Sequence, residues 1–137
     1  MKHILLALLT ILFASPAMAG EDWKTYFKNS EVEVQYLYSD CHDDANGIHQ
    51  QKVLLKFINL QNKKVEVFFT KELSFSNNTT GTPDVREFSV QLNANETLQG
   101  QCDTKNNRLF IFSKQLNFSS TQLTHFELKN ITVKPIQ

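Results

Sequence analysis

Lys52–Leu73 reads KVLLKFINLQNKKVEVFFTKEL, and these residues decide the fold class. Val53, Leu55 and Phe57 alternate with Lys52 and Lys56. After the break NLQNKK, Val65, Val67 and Phe69 alternate with Lys64, Glu66 and Thr70. A period of two, with β-branched and aromatic residues on one side and charge on the other, is the pattern of a half-buried strand. The break is rich in asparagine and lysine, so the two runs are predicted to pair as an antiparallel hairpin.

The same period extends in both directions. EVEVQYLY (31–38) puts Val32, Val34, Tyr36 and Tyr38 on one face and Glu31, Glu33 and Gln35 on the other. REFSVQL (86–92) alternates Phe88, Val90 and Leu92 with Glu87, Ser89 and Gln91, and the turn NANE leads to a short piece ending at Cys102. NRLFIFSKQL (107–116) is apolar on both faces from Leu109 to Phe112, which predicts a central, covered strand. In LTHFELKNITV (123–133) the apolar positions are Phe126 and Leu128, then Ile131 and Val133. Their phase slips by one near Asn130, which predicts a β-bulge or bend. Near the start, EDWKTYFKNS spaces Trp23, Tyr26 and Phe27 by three and four, suiting a short amphipathic turn or helix laid over the end of the core.

Six or seven short strands with polar turns and no long helix predict an all-β antiparallel sandwich, with a small closed barrel as the runner-up. The order resembles immunoglobulin-like sandwiches. VLLKFINLQNKKVEV is similar to their inner hairpin, and FSVQLNANETLQG is similar to their strand–turn–strand in which a glutamate follows a small-residue turn. The resemblance implies the fold alone. Immunoglobulin domains keep a tryptophan between their two cysteines, whereas Trp23 precedes both cysteines here, so antibody-type function does not carry over.

The first residues follow a different logic. Lys2, the apolar run Ile4–Phe13 and the small-residue exit Ala17-Met18-Ala19 form a secretory signal pattern, with cleavage expected after Ala19. The apolar run is too short for a spanning helix, which needs about 20 residues. The chain therefore divides into a signal peptide (1–19), an amphipathic segment (20–30) and one β-sandwich domain (31–137). Export, to the periplasm or beyond, predicts that Cys41 and Cys102 pair. Closing a loop of about 60 residues stabilises the fold by about 4 kcal/mol in the chain-entropy account. Lys and Arg number 14 against 14 Asp and Glu, with no basic tail, which argues against nucleic acid or an anionic membrane as partner.

SDCHDDANGIHQQ (39–51) concentrates the candidate ligand chemistry. Aligning Gly47 with the sixth position of an EF-hand loop puts His42 at the first ligand and Val53 at the bidentate one, which defeats that motif. A looser calcium loop would use Asp40, Asp43, Asp44 and Asn46. A zinc site would use His42 and His49 with an aspartate. The favoured expectation is a polar turn stapled by Cys41, with no metal and no cofactor. Catalysis has little support: no GxSxG, HExxH or paired CxxC is present, and a His49–Asp44 acid–base pair has no recognisable nucleophile beside it. If the strands pair as predicted, Leu54, Ile58, Phe68, Phe110 and Phe112 form a second apolar face. Phe68, Phe110 and Phe112 are its candidate binding residues, with at least one of the last two expected to be covered. Asn77, Asn78, Asn95, Asn117 and Asn130 each head an N-x-S/T triplet.

These residues predict a secreted or periplasmic binding or accessory module without catalysis, engaging a protein or surface component. The alternatives are a calcium- or zinc-dependent module or hydrolase built on residues 40–49, and a structural piece of a surface assembly. Intact-mass analysis of exported protein is expected to show a chain beginning at Gly20 and two hydrogens lighter than its reduced form. A retained leader, or two free thiols, overturns the corresponding half.

Overall fold

The structure, a computed structural model, describes residues 22–137, so the expected signal segment lies outside the described residues. The strands are β1 (Lys24–Lys28), β2 (Val32–Asp43), β3 (Ile48–Asn59), β4 (Val65–Phe75), β5 (Asp84–Leu92), β6 (Thr97–Gln99), β7 (Phe110–Gln115) and β8 (Leu123–Pro135). They form two antiparallel sheets that do not close into a barrel. One runs β1-β2-β3, with β6 and β7 both on the far side of β3; the other runs β5-β4-β8. No helix among the described residues is long and apolar enough to cross a membrane.

The alternating residues build the core as their period demands. Val32 and Val34 of β2, Val53, Leu55 and Phe57 of β3, Val65, Val67 and Phe69 of β4 and Val90 and Leu92 of β5 are buried together with Leu109, Ile111 and Leu128. Burying one such side chain stabilises the fold by about 1.5–3 kcal/mol.

The predicted hairpin between β3 and β4 does not form, because the two strands lie in different sheets. Asn59 makes the corner. Its side chain is buried, and its Nδ2 donates to the carbonyls of Lys63 (2.8 Å) and Asn93 (2.9 Å) while its Oδ1 accepts from the Gln61 backbone N–H (3.0 Å). One amide thus closes the turn and ties it to the end of β5. The true hairpin joins β2 and β3, paired continuously from Val32↔Asn59 to Asp43↔Ile48. Most of SDCHDDANGIHQQ is therefore strand. The turn is a single 3-10 turn, Asp44–Asn46, closed by Gly47 at φ 64°, where glycine carries no Cβ penalty.

β6 and β7 lie in tandem along β3, and residues 100–108 leave the sheet between them. Gly100 makes the exit: its N–H donates to the Leu55 carbonyl (2.9 Å), and a Cβ there would lie 2.2 Å from the Leu109 carbonyl oxygen. The excursion carries Cys102, disulfide-bonded to Cys41 on β2, and the Lys52 ammonium donates to the Cys102 carbonyl (3.1 Å).

Three further expectations meet their outcome here. The bulge near Asn130 is present: the β4–β8 register shifts there, and Asn130 has φ 54°. The segment expected as a turn or short helix is β1, paired to β2 with a bulge between Thr25 and Phe27. Tertiary packing overrides its helical spacing, since the Tyr26 hydroxyl accepts from the Leu128 backbone N–H (2.9 Å) and its ring stacks on Phe126. β7, expected as a central strand, pairs with β3 alone and is an edge. Leu109 and Ile111 are buried in the core, whereas Phe110 and Phe112 are only half-buried.

Asn59→Ala strands two carbonyls and one N–H at the corner. Urea denaturation is expected to show a loss of about 3 kcal/mol; an unchanged midpoint removes the corner from the folding account.

Candidate functional site

The residues singled out at 39–51 are distributed over β2, the 3-10 turn and β3. His42 and His49 are cross-strand partners with their Nδ1 atoms 2.8 Å apart, one donating and the other accepting. Asp44 Oδ1 lies 3.7 Å from His49 Nε2, on an almost fully exposed side chain. Asp43 is occupied in capping the turn, accepting from Asn46 N (3.4 Å) and Asn46 Nδ2 (2.8 Å), and Asp40 accepts from Gln51 Nε2 (3.2 Å). Among the described residues no three His, Cys, Asp or Glu side chains gather as a metal-holding group. The imagined His49–Asp44 pair is therefore a loose, solvent-facing contact, and Cys41 is held in its disulfide.

The second apolar face does not assemble as one surface, because β3 and β4 belong to different sheets. Phe68 is on the outer side of β4, beneath the Lys134 ammonium (5.0 Å to the ring centre). Leu54 is buried, beside the disulfide-bonded excursion. Phe110 lies under the Lys52 ammonium (4.6 Å). Phe110 and Phe112 do meet, at a different feature.

That feature is a cleft of about 220 Å³ on the side of the sandwich where β5 and β7 are both edges. β4 contributes Lys71, Leu73 and Phe75; β5 contributes Asp84, Arg86 and Phe88; Asn107 and Phe110–Phe112 come from the entry to β7 and from β7 itself. Lys71 continues the inward phase of Val65, Val67 and Phe69, so a lysine occupies a core position and is only 4% exposed. Its ammonium donates to the backbone carbonyls of Asn107 and Phe110, the latter at 3.0 Å, and lies 4.4 Å from the centre of the Phe88 ring. Among the described residues no carboxylate forms an ion pair with it. Two neutral carbonyls and a ring face offset only part of the cost of burying a charge. Burial pushes Lys71 down from the ordinary lysine value of 10.5 to about 8, and the nearby Arg108 charge acts in the same direction.

Sequence reasoning passed over Lys71 while holding its signal. The run V-E-V-F-F-T-K-E-L keeps one phase through Leu73, and that phase places a lysine among inward residues. Only the contacts across the two sheets reveal what it faces. Comparison of the chain with protein-family models, with curated proteins and with solved structures finds no match.

The depressed Lys71 value has a definite sign. The unfolded chain keeps this proton up to about pH 10.5, whereas the native protein releases it near 8. Between those limits the unfolded state binds more protons, so this group makes stability rise with pH; below 8 its contribution stays at its lowest. The rise amounts to about 3 kcal/mol at most. Denaturation midpoints of the wild type and Lys71→Met, compared from pH 7 to 11, are expected to show a slope in the wild type that the variant lacks. Parallel profiles count against the buried ammonium.

Proposed function

We propose that the chain acts after export as a small binding module without catalysis, taking its ligand in the cleft between β5 and β7. The observation that carries this reading is the combination of apolar walls with a buried amine that has no carboxylate partner. Core residues of a sandwich rarely include lysine, and a polar group in an apolar cavity is the usual means by which a binding site orients its ligand. Export is supported by the signal pattern at residues 1–19 and by the Cys41–Cys102 disulfide. Kinship of plan with immunoglobulin-like sandwiches belongs to the same proposal, supported by the two facing antiparallel sheets and by the crossing between them at Asn59. On this reading the sandwich is a rigid frame and its open side is the recognition surface, as is common where loops and edges sit on a packed scaffold.

Titration of benzyl alcohol, a neutral probe of the cleft's size, into isotope-labelled mature protein tests the site. Amide resonances of residues 71–75, 84–88 and 110–112 are expected to move together and to saturate. Absence of saturable shifts, or shifts confined to other strands, overturns the cleft as the binding site.

A further inference from the structure

We infer that the cleft between β5 and β7 selects a compact apolar monocarboxylate, its carboxylate received by the Lys71 ammonium and its apolar part by Phe75, Phe88 and Phe112. The inference rests on the binding-module reading and adds the chemical class of the ligand.

The charge distribution points to an anion. Lys71 and Arg86 are direct cross-strand partners on β4 and β5, so two cations stand side by side where like charges repel. Arg108, at the approach to β7, lies outside the cleft lining and beside Glu66, yet its charge still acts on Lys71. Against these stands one carboxylate, Asp84, at the mouth of the cleft and 3.4 Å from Arg86 Nε. The neighbouring Glu72 does not compensate Lys71, being in contact with Lys129 instead. An ammonium has three N–H groups, and the carbonyls of Asn107 and Phe110 take two of them. Among the described residues no oxygen accepts the third, and a ligand carboxylate would take it in competition with the Phe88 ring face, in a charge-assisted bond stronger than a cation–ring contact.

Size and polarity narrow the class. A cavity of about 150 Å³ lined by apolar side chains accepts benzene. The volume here is about 220 Å³, which admits one ring or a short branched chain together with a carboxylate. It falls below the range of about 300–1,000 Å³ typical for larger ligands. With two of the Lys71 N–H groups taken by carbonyls and a volume of this size, the cleft suits a single carboxylate rather than a phosphate ester or dicarboxylate.

The test is a calorimetric comparison of four nearly isosteric probes, benzoate, benzamide, benzyl alcohol and benzylammonium, with mature protein at pH 7. Benzoate is expected to bind at least about tenfold more tightly than benzamide. That ratio is expected to fall to about one in Lys71→Met, and in the wild type at pH 10, where Lys71 has lost its proton. The high-pH arm does not depend on the variant folding. A third readout follows the Lys71 ε-methylene resonance, whose titration midpoint is expected to move upward when benzoate saturates the protein. A lysine that only clips the two sheets together would not respond in this way. Equal affinity for benzoate, benzamide and benzyl alcohol overturns the carboxylate inference and leaves the cleft reading intact. Preference for benzylammonium overturns it in favour of Asp84, and failure of all four probes overturns the inference and the binding site together.

Discussion

The architecture depends on the corner at Asn59. A buried amide that satisfies two carbonyls and one N–H in so small a space leaves the chain one direction after β3, across to the other sheet. Were that turn to close as a hairpin, β4 would add to the edge of β3 where β6 and β7 now pair, and the inward residues of the two strands would line one face. Instead Val53, Leu55 and Phe57 meet Val65, Val67 and Phe69 across the core. The apolar surface that would otherwise need an external cover is consumed by the domain itself.

Two sheets facing each other leave two open sides, and the chain treats them differently. On the β1/β8 side, aromatic rings fill the gap: Tyr26, Tyr36 and Phe126 pack within 5.6–6.2 Å of one another, and the Tyr26 hydroxyl is tied to the β8 backbone. On the β5/β7 side the corresponding tie is the Lys71 ammonium, which reaches the carbonyls of Asn107 and Phe110. An aromatic seal excludes water at little electrostatic cost, whereas a buried cation remains under-compensated. The asymmetry leaves the under-compensated buried charge on the β5/β7 side.

The disulfide bears on that side from a distance. Cys102 lies in the excursion 100–108 whose last residues supply a carbonyl to Lys71, and Cys41 anchors the same excursion to β2 from the outer face. The loop is thus gripped from both faces, by the disulfide and Lys52 outside and by Lys71 inside. A loop held in this manner presents fixed carbonyls, and fixed acceptors are what a cleft needs to hold an amine in one orientation.

The sequence by itself determined the class of structure. A period of two, repeated with the inward residues apolar, is a local signal that survives any arrangement of the strands, so the strand runs and the core faces of β2, β3, β4 and β5 were legible in it, and so was the slip near Asn130. It also held Lys71 in the inward phase without saying what that lysine would face. The partner of each strand was decided only in the tertiary structure, because an edge and a centre carry the same alternation and a six-residue break can close as a hairpin or cross between sheets. That choice fell to the three hydrogen bonds of Asn59, to the lack of room for a Cβ at Gly100, and to the Tyr26 hydroxyl that drew an apparently helical spacing into β1. It separated Phe68 from Phe110 and Phe112, set His42 against His49, and opened the cleft around Lys71, because contacts between residues far apart in the chain exist only once the sheets have packed.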